Sequence, residues 1–439
     1  MLVPGFAGFD ALGQLEYYAG VTPQFRAWKK SGANPRAPHT VLHYFDNFPT
    51  AAVATRARRL RDYLAKRVAR GEFLDGDKLA LVGHSTGGLD IRRLLYDLAR
   101  DVTTAPQRRY FHDGIHGRPF AVSPRRILRL IDRVVFLSVP QWGTNIADWV
   151  RTYAAARLAI ITDLRASVAA SQVPIVDRLQ GCISNWVAGL SNEDLLYALG
   201  DTLSEAEPDA CKDPLRTALA QEAASEVELW LRHMATDFGA IEDLAVQAPD
   251  HPTSPAHFAS QQRKQEIAYW KTFGIKTRSY ATLSKSPFRF EHGGTAPRWD
   301  LLNPFTYPEV IRDRVLSAGT DLVYRICYRA CAGGPFAFPP DPRFRPVATH
   351  LGSSKPQPIE IWDNDGIVNT ASMLWPDRRA TLLVECDHMD IVGHYRRARA
   401  ESKQTGRRYE AYDLLKSASK FHEREFAQVW RGVFDFCVS

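Results

Sequence analysis

No apolar run in this 439-residue chain reaches the roughly 18 residues that a membrane-spanning helix needs. Cysteine is scarce and scattered. The six residues at 182, 211, 327, 331, 386 and 437 form no paired CxxC array, which argues against a structural zinc site. Buried thiols are the expected state, although Cys182 and Cys211 flank a helical stretch and would be able to bridge in an exported form. No internal repeat is visible. No secretory leader is expected either, because Met1 leads within three residues into the strand-like MLVPG. The expectation is a cytoplasmic protein or a trimmed secreted form. The formal charge of +7 comes mainly from arginines such as those in TRARRLRDYLAKRVAR (residues 55–70). Leu60, Tyr63, Leu64 and Val68 recur there at helical spacing, so the arginines are expected on a solvated face. No aromatic-interleaved basic groove accompanies them, which argues against nucleic acid as a partner.

What is present is an ordinary globular composition, 45% hydrophobic and 24% charged, in a chain too long for one simple core. Up to about residue 147 short apolar runs alternate with amphipathic helices, the pattern of a mostly parallel sheet covered on both faces. MLVP, TVLHYF (40–45), KLALVG (78–83) and RVVFLSV (133–139) read as strands; 51–71 and 87–99 read as helices; FHDGIHGRPF (111–120) reads as a surface loop. From 148 to 248 Ala- and Leu-rich helical periodicity replaces the strands, as in a helical cap or lid inserted after the fourth strand. The core resumes over 249–439 with strands at IKTRSYATL (275–283), IEIWDNDG (359–366) and RATLLVE (379–385), then a closing helix. An irregular connection, AGGPFAFPPDPRFRP (332–346), interrupts it.

The most informative segment is Gly83-His84-Ser85-Thr86-Gly87-Gly88, directly after LALV and directly before LDIRRLLYDL. A serine between glycines, at a strand-to-helix turn, is a nucleophile elbow. Gly83 and Gly87 let the turn close so tightly that the Ser85 hydroxyl is pushed out at the carboxyl edge of the sheet. A serine hydroxyl needs a base, and the base an orienting acid, in the order Ser, Asp or Glu, His. Of 13 histidines, His388 follows the strand RATLLVE most closely, with His394 as the runner-up. Asp365, before Gly366 at the end of IEIW, is the acid, with Asp363 as the alternative. Two backbone N–H groups are needed for an oxyanion hole. Thr86, just after the nucleophile, and Phe6, in the loop Val3-Pro4-Gly5-Phe6-Ala7-Gly8-Phe9, are placed to supply them. The fold class expected is therefore α/β, specifically the α/β-hydrolase fold, and the chemistry acyl transfer to water through an acyl-enzyme. A large apolar insertion favours hydrophobic, lipid-like esters as the partner, with contact at a lipid interface. An acyltransferase with the same triad and a catalytically silent binding module are the rivals.

VPGFAGFDAL, GHSTGG, SVPQWGTNIADWV, NDGIVNTASM and DHMDIVG together resemble the true lipases of bacteria, of both the Pseudomonas/Burkholderia and the thermoalkalophilic Bacillus-related types. The resemblance covers about residues 1–150 and 235–400. It implies a hydrolase core without the first strands of the full sheet. It also implies Ser85, Asp365 and His388 as triad, Phe6 and Thr86 as oxyanion donors, and no cofactor for the chemistry. In those lipases an acidic residue two positions after the catalytic histidine binds a structural calcium. Asp390 holds that place here, and Asp341 is a candidate second carboxylate. The chain departs from the pattern at Pro4, where those lipases carry histidine, and at Pro140-Gln141, where they carry Pro-His. Their zinc-binding histidine insertion has no counterpart before Ser85, and the glycine between His112 and His116 speaks for a loop rather than a metal site.

Overall fold

A computed structural model describes residues 1–6, 11–12, 15–112, 120–152, 239–246, 253–284, 286, 322–332, 348–349, 359–376, 381–395, 400–401, 408–409, 413–415 and 417–439. Its centre is a six-stranded parallel sheet made of β1 (Leu2–Val3), β2 (Leu79–His84), β3 (Ile131–Leu137), β4 (Lys276–Leu283), β5 (Ala348–Thr349) and β6 (Thr381–Glu385), in the order β1-β2-β3-β4-β6-β5. Parallel strands need crossovers, and buried crossovers need helices. Consecutive residues of β3, from Arg133 to Leu137, are all buried, so both faces of the sheet are covered. Val53–Ala69 (α1), Thr86–Thr104 (α2) and Pro124–Leu130 (α3) pack together, while the closing helix Glu423–Val438 (α4) lies against β3 and against Val21–Lys30. This is the α/β-hydrolase fold. Because all six strands run the same way, their carboxyl ends share one edge, where sites form in such sheets.

Four sequence expectations need correction. TVLHYF forms no strand. Leu2 N–H donates to the His43 carbonyl and Phe45 N–H to the Leu2 carbonyl, but β1 is only two residues long and supports a single bridge, Leu2 to Tyr44. IEIW forms a turn, because the Asp363 carboxylate accepts the Glu360 N–H (2.8 Å) and competes with any ladder. The excursion at 111–120 is bounded by an antiparallel pair, Tyr110–His112 with Phe120–Val122; His116 lies outside the described residues. Arg56 is not on a solvated face. It is fully buried, ion-paired with Asp90 (2.9 Å), because carbonyls of two loops converge on the first turns of α1.

Residues 153–238, most of the expected cap, lie outside the described residues, as do Cys182, Cys211 and Asp341. Its rims, Asn145–Thr152 and Gly239–Leu244, are helical and pack on each other. Cys327, Cys331 and Cys386 are buried, and Cys437 is half-buried. Among the described residues no helix is long and apolar enough to cross a membrane.

Candidate active site

Ser85 sits between β2 and α2 with φ 52° and ψ −132°, a conformation that costs a non-glycine residue about 1–3 kcal/mol. The surroundings impose it. Its N–H donates to the Leu137 carbonyl of the next strand (2.9 Å), and its carbonyl accepts the Gly88 N–H (3.0 Å). A Cβ on Gly83 would lie 2.7 Å from Gly88, and one on Gly87 would lie 2.4 Å from the Val3 carbonyl oxygen. Neither leaves room for a side chain. Gly5 is pressed as closely, since a Cβ there would stand 2.6 Å from Ser85 Cβ. The loop carrying Phe6 therefore abuts Ser85, and Thr86 opens the 19-residue α2 at its electropositive end. Arg56 steadies the same loop from beneath, donating to the carbonyls of Pro4 (2.8 Å) and Gly5 (3.0 Å). Burial pushes its partner Asp90 up to about 6 despite the guanidinium.

Asp365 and His388 meet at the same edge. His388 Nδ1 lies 2.8 Å from Asp365 Oδ2, both side chains buried. A carboxylate only accepts, so Nδ1 carries the proton and Nε2 is left as the acceptor. The His388 ring lies beside that of His84, the residue before Ser85, with centroids 4.6 Å apart and the planes tilted by 43°. Asp365 is tightly seated. Its Oδ1 accepts the N–H groups of Ile367 (3.0 Å) and Val368 (2.7 Å), and Oδ2 also accepts from the Thr282 hydroxyl (2.6 Å). Ser138 Oγ, 2.8 Å from Thr282 Oγ1, completes a short hydroxyl chain to the acid. Gly366, at φ 95°, makes the turn that aims the carboxylate.

The alternatives are placed elsewhere. His394 is buried with Nε2 3.1 Å from the Tyr17 carbonyl, and Asp363 caps its own turn. Gln141 is clasped by Arg92, which donates to its side-chain oxygen (3.0 Å) and backbone carbonyl (3.2 Å) while paired with Glu266. Sequence reasoning missed Thr282 and Ser138, whose only signal was hydroxyl residues at the carboxyl ends of β4 and β3.

Asp390 and Asp387, both buried, lie in an acidic cluster with half-buried Asp413, their carboxylate oxygens within 4.8 Å of one another. Asp390 Oδ2 accepts from Ser419 Oγ (2.6 Å) and Asp387 N–H (3.0 Å), and Asp387 Oδ2 accepts from Ser417 Oγ (2.6 Å). Burial first, and the neighbouring carboxylate second, push Asp390 well above the usual carboxylate range; Asp387 is pushed up to about 7. Among the described residues no lysine or arginine forms an ion pair with either. Such a donor set suits a hard cation.

No protein-family model matches the chain, and no curated protein matches it in sequence. Among solved structures it is similar to EstA from Clostridium botulinum, at 15% identity and a TM-score of 0.41, with 89% of this chain and 82% of that one covered. Lipase 1 from Pelosinus fermentans is similar at 14% identity and a TM-score of 0.39, covering 99% and 97%. Phospholipase PlaB from Legionella pneumophila follows at 11% identity and a TM-score of 0.27, over 65% of this chain and 40% of that one. Likeness at this level leaves the activity to be argued from the site itself.

Proposed function

We propose that this chain is a serine hydrolase cleaving hydrophobic carboxylic esters. The observation that carries the reading is the 2.8 Å contact between His388 Nδ1 and Asp365, at the sheet edge where the elbow presents Ser85. In the proposed reaction Ser85 Oγ attacks the ester carbonyl carbon while His388 Nε2 takes its proton. Asp365 holds the imidazolium, and the N–H groups of Phe6 and Thr86 take up the oxyanion. His388 returns the proton to the departing alkoxide, leaving an acyl-enzyme on Ser85. Water, deprotonated by His388, then attacks the acyl carbonyl; the bond to Ser85 Oγ breaks, the acid leaves, and His388 returns the proton to Oγ. The Ala- and Leu-rich residues 148–248 favour a hydrophobic acyl group.

The acidic cluster adds a structural role. Asp387, Asp390 and Asp413 would hold a calcium ion, which would neutralise carboxylates that otherwise repel one another. Asp387 and Asp390 flank His388 in the chain, so the ion would brace the base loop without entering the chemistry.

A hydrolysis series of p-nitrophenyl esters from acetate upward, with an emulsified triglyceride, tests the activity. Turnover rising with chain length and lost in Ser85→Ala is expected. Repeating it with an acceptor alcohol distinguishes transfer, since a dominant alcoholysis product would make the chain an acyltransferase. No turnover of any ester would overturn the reading.

A further inference from the structure

Beside the triad, two side chains in series connect both halves of the site. Gly5 N–H donates to the Tyr17 hydroxyl (2.9 Å), which lies 2.6 Å from His84 Nδ1. On the other side of the same ring, His84 Nε2 lies 3.0 Å from the His388 carbonyl oxygen. Since a carbonyl only accepts, Nε2 must carry the proton. Nδ1 is then an acceptor, and the phenol, already receiving the Gly5 N–H, gives it its own proton. Every donor and acceptor in this row has one consistent direction. The row starts one residue before Phe6 and ends on the backbone of the base.

We infer that His84 is a positioning residue, tying the loop that carries Phe6 to the loop that carries His388 through Tyr17. The inference rests on the reading of Ser85 and His388 as nucleophile and base. Two parts of the site that come from opposite ends of the chain, residues 5 and 388, are thereby registered against one imidazole. Both His84 and Tyr17 are buried, so water does not compete for the bonds. Burial, and then His388 beside it, hold His84 well below the ordinary histidine range, so the neutral ring that the row requires is the stable form. The tie needs an imidazole at position 84, directly before Ser85, because both ring nitrogens are used. Its effect falls on the transition state, because the oxyanion donor and the base must keep their spacing only when charge develops between them.

Two readouts test it. In proton–nitrogen NMR of labelled protein, with the His84 signals assigned by their loss in His84→Gln, the ring is expected neutral with its proton on Nε2. It should stay so as pH falls below the ordinary histidine value of 6.5, at which a solvated ring would titrate. A proton on Nδ1, or an ordinary titration, overturns the inference whatever the enzyme does. In ester hydrolysis, Tyr17→Phe and His84→Gln are each expected to lower kcat by roughly 10–100-fold per phosphonate-titrated site, with KM little changed. The double variant should be about as impaired as the worse single one, since both break the same connection. Fully additive losses, or a lowered Tm with unchanged kcat per titrated site, overturn it too. If the wild type takes up no phosphonate at all, the serine-hydrolase reading falls instead, while the NMR result still decides the hydrogen-bond row.

Discussion

Ser85 and the pair Asp365–His388 stand at one sheet edge, yet different physics holds each in place. The elbow is held by exclusion. Gly83, Gly87 and Gly5 are each packed so that an added methyl group would meet backbone or Ser85 itself at 2.4–2.7 Å. The acid and base loops are held by donors and acceptors. Four hydrogen bonds converge on the Asp365 carboxylate, Ser372 Oγ and Thr144 Oγ1 tie residues 140–145 to the acid loop, and the Trp430 N–H of α4 donates to Ile391 in the base loop. Steric exclusion is steep, because repulsion rises over tenths of an ångström, whereas hydrogen bonds fail one at a time. The elbow should therefore tolerate almost nothing, and the loops should degrade by steps.

The largest effect is expected at Asp365→Asn. An amide accepts from His388 poorly and favours the wrong tautomer, so kcat should fall on the order of 10⁴-fold at nearly unchanged Tm. Steady-state kinetics beside a thermal melt checks this, and a large loss of Tm would show that the acid loop is a structural keystone instead. Gly87→Ala sharpens the contrast. Its Cβ would displace the strand β1 backbone, costing about 3 kcal/mol or more, so stability and activity should be lost together. A stable, active Gly87→Ala protein would sink the exclusion argument. Thr282→Val removes one donor to Asp365 and should lower kcat roughly 10-fold without a comparable loss of fold. The smallest effect is expected from calcium. Metal-stripped protein should gain a few degrees of Tm on adding calcium, and Asp390→Asn should abolish the gain. An identical Tm with and without calcium would remove the ion from the account.

The same contrast explains what was legible in the sequence. The elbow is local, and GHSTGG between an apolar strand and an amphipathic helix spells out its steric demands within twenty residues. Asp365 and His388 were legible as chain positions, each expected at the end of a strand, and the structure brings them together although only His388 follows one. What holds them was not. Thr282 and Ser138 act across 83 residues or more of chain, and nothing in the spacing of residues 138, 282 and 365 announces their contact. Arg56 misled for the same reason, since its helical pattern was read without the loops that bury it. Asp363 turned an expected strand into a turn through a side-chain bond that periodicity does not register.

Fluorophosphonate labelling, read by peptide mass, tests the central claim most directly, because only an activated serine reacts. The account predicts one adduct, on Ser85, absent from Ser85→Ala and strongly slowed in His388→Ala while His394→Ala labels at close to the wild-type rate. An adduct on another serine, or labelling of Ser85 that is indifferent to loss of His388, would contradict it.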